Sequence, residues 1–332
     1  TEEKLADIDG VSIQEQATTP TWSSPKPSRR RKACALLPRV RCGVEHLPHL
    51  FDKFYRVENG LTGRATGTGL GLAICKALED AIQWAVAEMK KDGLVPIAFG
   101  DKDGWPAMGT FDQLNLRVNG YDFHVNLMAG KEAWNSDKVK KVFDTWAGLL
   151  ELHQPDSLGR TWQEAAQALQ QKKAGTYLLG SFVAQQFGKG AEQEDLTFFN
   201  FPEIDSNIGA DAIEAPIDGY MMAKRPKNEA GAKKLLGYVG SAAAQNIVVK
   251  ADPSVIATND QADKAAYTSL QKKSVEFVSQ AKSIAQFMDR DTRPDFASTV
   301  MIPAIQSFLK NPKDIDGLVN GIEKQKQSIF AS

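Results

Sequence analysis

The sequence predicts an α/β protein. Short apolar runs bounded by glycine or proline alternate with stretches of helical period, the pattern of a sheet core covered by helices. The C-terminal part reads as mostly helical, and no segment repeats.

Residues 1–45 keep neither period. Thr18 to Ser28 is polar and broken by prolines, so this segment is expected to be irregular or disordered. Short helices are expected over 47–56 and 70–78, the second entered through a glycine turn. An amphipathic helix over 81–91 ends at Asp92-Gly93, and Leu94 to Phe99 is a short buried strand closed by Gly100. Val139, Val142, Phe143, Trp146, Leu149 and Leu150 share one face of a helix over 139–152. Thr161 is the N-cap of a helix over 161–172, with Glu164 as its capping-box partner. Further strands are expected over 175–180, 196–202 and 215–223, and further helices over 229–245, 260–288, 298–310 and 313–329. Trp134, Trp146 and Trp162 fit helix faces and are assigned to the core.

The 40 basic and 41 acidic residues nearly cancel, and 42% hydrophobic residues is ordinary for a soluble globular chain. Nothing in that balance draws the chain to nucleic acid or to a membrane surface. The basic run Arg29 to Lys32 follows prolines and serines and is read as a solvated linker. Cys34, Cys42 and Cys75 form no metal or disulfide pattern. No apolar run approaches the roughly 18–20 residues that span a bilayer, and no signal peptide is visible after Thr1. No nucleophile–base pair or paired carboxylates stand out, and His124 and His153 lack metal-spaced partners. Binding is therefore expected rather than catalysis, with no metal and no cofactor.

Gly67-Thr68-Gly69-Leu70-Gly71-Leu72 opens a helix with side-chain-free backbone, which suits a phosphate. With Phe51-Asp52-Lys53-Phe54-Tyr55-Arg56 before it, residues 46–77 resemble the phenylalanine box and second glycine box of sensor histidine kinases. The resemblance implies that Gly67, Thr68, Gly69, Leu70 and Gly71 touch the phosphates of ATP. The phosphoacceptor histidine box, the asparagine box and the adenine pocket have no counterpart, so a kinase remnant is the alternative reading.

Four separated stretches carry a second resemblance, over residues 78–332. They are Gly100-Asp101-Lys102-Asp103-Gly104-Trp105-Pro106, Gly180-Ser181-Phe182-Val183, Phe199-Asn200-Phe201-Pro202, and Ala215-Pro216-Ile217-Asp218-Gly219-Tyr220-Met221-Met222. Their order resembles the extracellular solute-binding proteins of carbohydrate ABC importers, the group that includes maltose-binding protein. The resemblance implies a two-lobed, periplasmic-binding-protein-like α/β fold. Residues 78–222 would be mostly the second lobe, 224–270 helices of the first, and 271–332 hinge-proximal helices. It also implies a non-enzymatic, extracytoplasmic monomer with a carbohydrate ligand and a membrane permease as partners. The first lobe's opening segment has no counterpart, so a truncated or chimeric chain with weakened or abolished sugar binding is expected. An exposed apolar patch near Leu235, Leu236, Val239 and Ile247 should accompany it.

A sugar presents C–H faces and hydroxyl edges, so its site wants aromatic faces and planar polar groups. Trp105 sits in a glycine-rich loop after a strand, placed either to pack the lobe or to meet a ligand. Phe182 follows the Gly180-Ser181 turn, where the resemblance implies a sugar-stacking aromatic. Asp218-Gly219, beside Tyr220, can accept sugar hydroxyls while the backbone comes close, or can simply cap a turn. Asp289-Arg290-Asp291 is a helix-terminal charge cluster that either reaches the cleft or forms solvated ion pairs.

Overall fold

The computed structural model describes residues 86–188, 195–252, 254–265 and 267–331. The chain divides into two units, Thr1–Gln83 and Trp84–Ser332. The helices expected over 47–56 and 70–78, and the irregular segment 1–45, lie outside the described residues.

The second unit opens on a helical stretch ending at Lys91, followed by the Asp92-Gly93 turn and strand β1 (Val95–Ala98). Strand β2 (Ala174–Tyr177) pairs with β1 in parallel, with Val95 opposite Ala174 and Ile97 opposite Thr176. Strands β3 (Ala212–Glu214) and β4 (Ser283–Ala285) form a second parallel pair. Parallel strands need long crossovers. The first crossover holds helices α1 (Pro106–Asn119), α2 (Tyr121–Met128), α3 (Asp137–Ala147) and α4 (Trp162–Gln170). The second holds α5 (Glu229–Val239), α6 (Ala242–Ala251) and α7 (Ser269–Gln280). After β4 come the short α8 (Met288–Asp291), then α9 (Ile302–Lys310) and α10 (Ile315–Phe330).

The main core lies where α1, α3, α9 and α10 meet. Val139, Val142, Phe143 and Trp146 of α3 are sealed from solvent, as their spacing predicts. Trp134 stacks on Phe111 at 5.4 Å, and Phe308 meets Phe143 edge-on at 5.0 Å. Full burial of one such side chain contributes about 1.5–3 kcal/mol. A smaller cluster of Ala98, Ala165, Ala168 and Ala174 seats α4 on β1 and β2, where small side chains let helix and strands approach. The capping box of α4 is formed as expected, with Thr161 Oγ1 accepting from the Glu164 N–H and Glu164 Oε2 accepting from the Thr161 N–H.

Four expectations are corrected. Residues 196–202 form no strand: the Phe201 carbonyl and the Asn200 side chain accept from the buried Arg117 guanidinium instead of a ladder partner. The strand expected over 215–223 lies at 212–214. Its ladder stops where the Ala215 N–H donates to the Ala285 carbonyl, and the Ile217 N–H turns to the side chain of Gln286. The helix expected over 229–245 breaks at Gly240, and Ser241 Oγ restarts it by accepting from the Ala244 N–H. The helix expected over 260–288 exists only as α7, because Ser283 to Ala285 is drawn into pairing with β3. The apolar patch expected near α5 and α6 is there at Leu235 and Ile247, each 62% exposed, while Leu236 and Val239 are half-buried. Among the described residues no helix is long and apolar enough to cross a membrane.

Candidate functional site

In sheets of parallel strands, ligands gather outside the carboxyl ends of the strands. Here the carboxyl ends of β1, β2 and β4 each deliver an aromatic ring to one cluster. Trp105 follows β1, Phe182 follows β2 and Phe287 follows β4. The Trp105 ring lies 5.8 Å from Phe182 and 6.0 Å from Phe287. Trp162, at the first turn of α4, meets Phe182 edge-on at 5.0 Å and Trp105 at 6.5 Å. All four rings are half-buried, which leaves part of each open to solvent.

The β1 loop is held rigidly. Asp101 is sealed from solvent, its N–H donates to the Ser157 carbonyl, and its Oδ1 accepts from the Ala107 N–H at 2.9 Å. The Gln306 side chain donates to its carbonyl at 3.0 Å. Gly104 takes φ +80° in this turn, and a Cβ there would sit 2.3 Å from Ile302 Cγ2, so only glycine fits. Trp105 is thereby fixed as the N-cap residue of α1, with Pro106 starting the helix. Gly109, one turn on, seats the Phe287 ring, since a Cβ there would lie 2.9 Å from Phe287 Cε2.

Asp101 carries a testable cost. Burial, opposed by the Ala107 N–H and Gln306, pushes its carboxyl up to about 6. A raised carboxyl favours the protonated form in the folded state. Its stabilising contribution is full below about pH 4 and is lost as pH rises through about 6, to a total of about 3 kcal/mol. Asp101→Asn keeps the acceptor for Ala107 and removes the titration. Its thermal stability relative to the parent is expected to climb from about pH 4 to about pH 8. Parallel melting curves for the two proteins would assign that pH dependence to other groups.

The polar side of the site lies at the ends of β3 and β4. Arg290 Nη2 of α8 donates to Asp218 Oδ1 at 3.1 Å, and its Nε lies 3.7 Å from Asp289 Oδ1. The structure therefore brings Asp218 to Asp289 and Arg290, from which it is far apart in sequence. Below them Asp112 of α1 is fully buried, with Oδ2 accepting from the Met288 N–H at 2.8 Å and Oδ1 without a hydrogen-bond partner. Burial and the nearby Glu214 push the Asp112 carboxyl well up. Burial, Asp291 and Asp289 do the same to Glu214, and Arg290 offsets part of it.

The site residues expected from sequence thus divide. Trp105 and Phe182 meet, Asp218 pairs with Arg290, and Tyr220 stands 75% exposed outside the ring cluster, with Gly219 beside it also exposed. Asp218 lies in an irregular stretch rather than at a strand end. Trp162 corrects the core assignment: it occupies the first turn of its helix, where it faces the rings instead of the helix stripe. Phe287 had no signal beyond its apolar character. His124 is buried and His153 half-buried, and burial pushes both down to about 4, so they are neutral at ordinary pH. Gly67, Thr68, Gly69, Leu70 and Gly71 lie outside the described residues. Among the described residues no three histidine, cysteine or acidic side chains gather to hold a metal.

The family model for the bacterial extracellular solute-binding proteins matches residues 72–246, more than half of the sequence. The chain belongs to that family. It superposes on the bacterial solute receptor AcbH with a TM-score of 0.73 and 42% identity, covering 78% of this chain and 68% of that one. The structures of AcbH are described as showing an exclusive substrate preference for β-D-galactopyranose. An uncharacterized ABC transporter extracellular-binding protein of Pyrococcus horikoshii is 27% identical over 179 residues, 54% of this chain and 39% of that protein. The chain thus spans well under two thirds of that curated relative. A separate match of 50 residues is 49% identical to the sensor histidine kinase CusS of Escherichia coli K12, over 15% of this chain and 10% of the kinase.

Proposed function

We propose that this solute-binding protein is the receptor component of a carbohydrate ABC importer and holds a galactopyranose-type sugar. It acts outside the cytoplasm, as a monomer that delivers the sugar to a membrane permease, and catalyses nothing. The observation that carries this reading is the meeting of Trp105, Phe182 and Phe287 at the carboxyl ends of β1, β2 and β4. Half-open rings offer flat faces to the C–H side of a pyranose. Asp218, Asp289 and Arg290 offer acceptors and a forked donor for its hydroxyls, with Gly219 and Tyr220 flanking them. Residues 78–332 act as the receptor, with 78–222 as most of one lobe, 224–270 belonging to the other and 271–332 near the hinge.

The test is a titration of the full chain with β-D-galactopyranose, followed by ligand-observed NMR. Saturable binding with a Kd of about 1 mM or tighter, which is about 4 kcal/mol, is expected. Glucose and an acyclic polyol serve as comparisons. Equal signals for all three, or none for galactose, would overturn the proposal.

A further inference from the structure

The charged groups around the rings contribute most to any choice among sugars by charge. Asp218 on the loop after β3, Glu214 at the end of β3, Asp289 and Asp291 on α8, and Asp112 on α1 bring five carboxyl groups to this end of β3 and β4. The guanidinium among them, Arg290, is already shared between Asp218 and Asp289. A ligand carboxylate would therefore compete with Asp218 and Asp289 for this guanidinium. Beneath the cluster Asp112 is sealed from solvent, and its Oδ1 has no hydrogen-bond partner. The rings act in the same direction, because an aromatic face attracts a cation and repels an anion.

Resting on the sugar reading above, we propose that the site is charge-selective: it admits neutral and amino sugars and rejects uronic acids and sugar phosphates. An incoming carboxylate would meet like charge on Asp218 and Asp289, whose side chains are 89% and 47% exposed, so the repulsion is open to screening by salt. An ammonium at the same place gains the opposite interaction, both from the carboxylates and from Trp105 or Trp162. Burial is the main cause that raises the Asp112 and Glu214 carboxyls, and their acidic neighbours add to it.

Galactose, galactosamine and galacturonate share one ring and differ in charge. Titrated into the full chain at mildly acidic pH, galactosamine is expected to bind at least as tightly as galactose. Galacturonate should bind about tenfold more weakly, and the gap should narrow at about 1 M salt. The double variant Asp218→Asn with Asp289→Asn changes two exposed side chains and frees Arg290. It should bind galacturonate about tenfold better, relative to galactose, than the parent does. Galacturonate binding the parent as well as galactose would overturn the charge selectivity, as would an unchanged ratio in the double variant. Absence of binding by galactose itself is a different result: it removes the sugar reading, and this inference with it.

Discussion

Trp105→Ala is expected to weaken galactopyranose binding by about 2 kcal/mol, or about 30-fold, because it deletes the ring that touches all the others. Trp105 is the one ring in reach of Trp162, Phe182 and Phe287 together. Removing it takes away its own face and also the wall that orients the neighbouring faces. Some stability goes too, about 2–3 kcal/mol, since the side chain is half-buried and packs against three rings. The melting curve is therefore recorded beside the titration, and binding is read well below the melt. Trp105→Phe separates the two effects, because it keeps a stacking face and most of the packing. Its affinity should stay within about fivefold of the parent. An alanine variant that binds within about threefold of the parent would make Trp105 a packing residue and move the sugar elsewhere.

The parts of this fold that sequence made legible were those fixed locally. Thr161 and Glu164 mark the start of α4 by their own hydrogen bonds, and the stripe from Val139 to Trp146 needs only helical geometry to be buried. Helix α1 gave no such signal. It is buried around nearly its whole circumference, and Asp112, Asn115 and Arg117 occupy positions that periodicity counts as a solvent face. Three-residue strands are harder still, because β3 and β4 have no period and exist only through each other. The misplaced strands and the overlong helix over 260–288 all follow from that non-local pairing.

The candidate site was legible in the same uneven way. Trp105 and Phe182 follow strands closed by glycine-containing turns, so their placement at strand ends could be read directly. Phe287 could not, since the local pattern over 260–288 reads as helix through β4. Trp162 leaves the helix stripe because a residue at a helix terminus is not bound to it. The pairing of Asp218 with Arg290 spans the whole second crossover, and no local pattern encodes it.

The same non-local logic makes Arg117 the residue whose loss should cost the fold most. It is sealed inside α1, and burial pushes its guanidinium below the usual range, an expense the fold offsets with directed hydrogen bonds. Its Nε donates to the Phe201 carbonyl at 3.0 Å, Nη1 to the Ala212 carbonyl at 2.7 Å and Nη2 to Asn200 Oδ1 at 2.7 Å. These bonds fasten the irregular stretch before β3 to the core, and so set where β3 starts and where Glu214 and Asp218 end. Arg117→Met keeps the aliphatic stem and strips the donors, leaving those acceptors short of partners. The expected loss is about 3–5 kcal/mol, or about 10 °C in Tm for a unit of this size. Asn200→Ala removes the acceptor for Arg117 and the donor to the Ala210 carbonyl, and should cost about 1–3 kcal/mol. Because both side chains serve one network, the double variant should be less destabilised than the sum of the singles by about 0.5 kcal/mol or more. Full additivity, or a loss under about 1 kcal/mol for Arg117→Met, would mean that packing rather than the guanidinium holds this segment in place. If the network does hold it, galactopyranose affinity in Arg117→Met should fall even below the melt, since Asp218 and Arg290 would lose their register across β3 and β4.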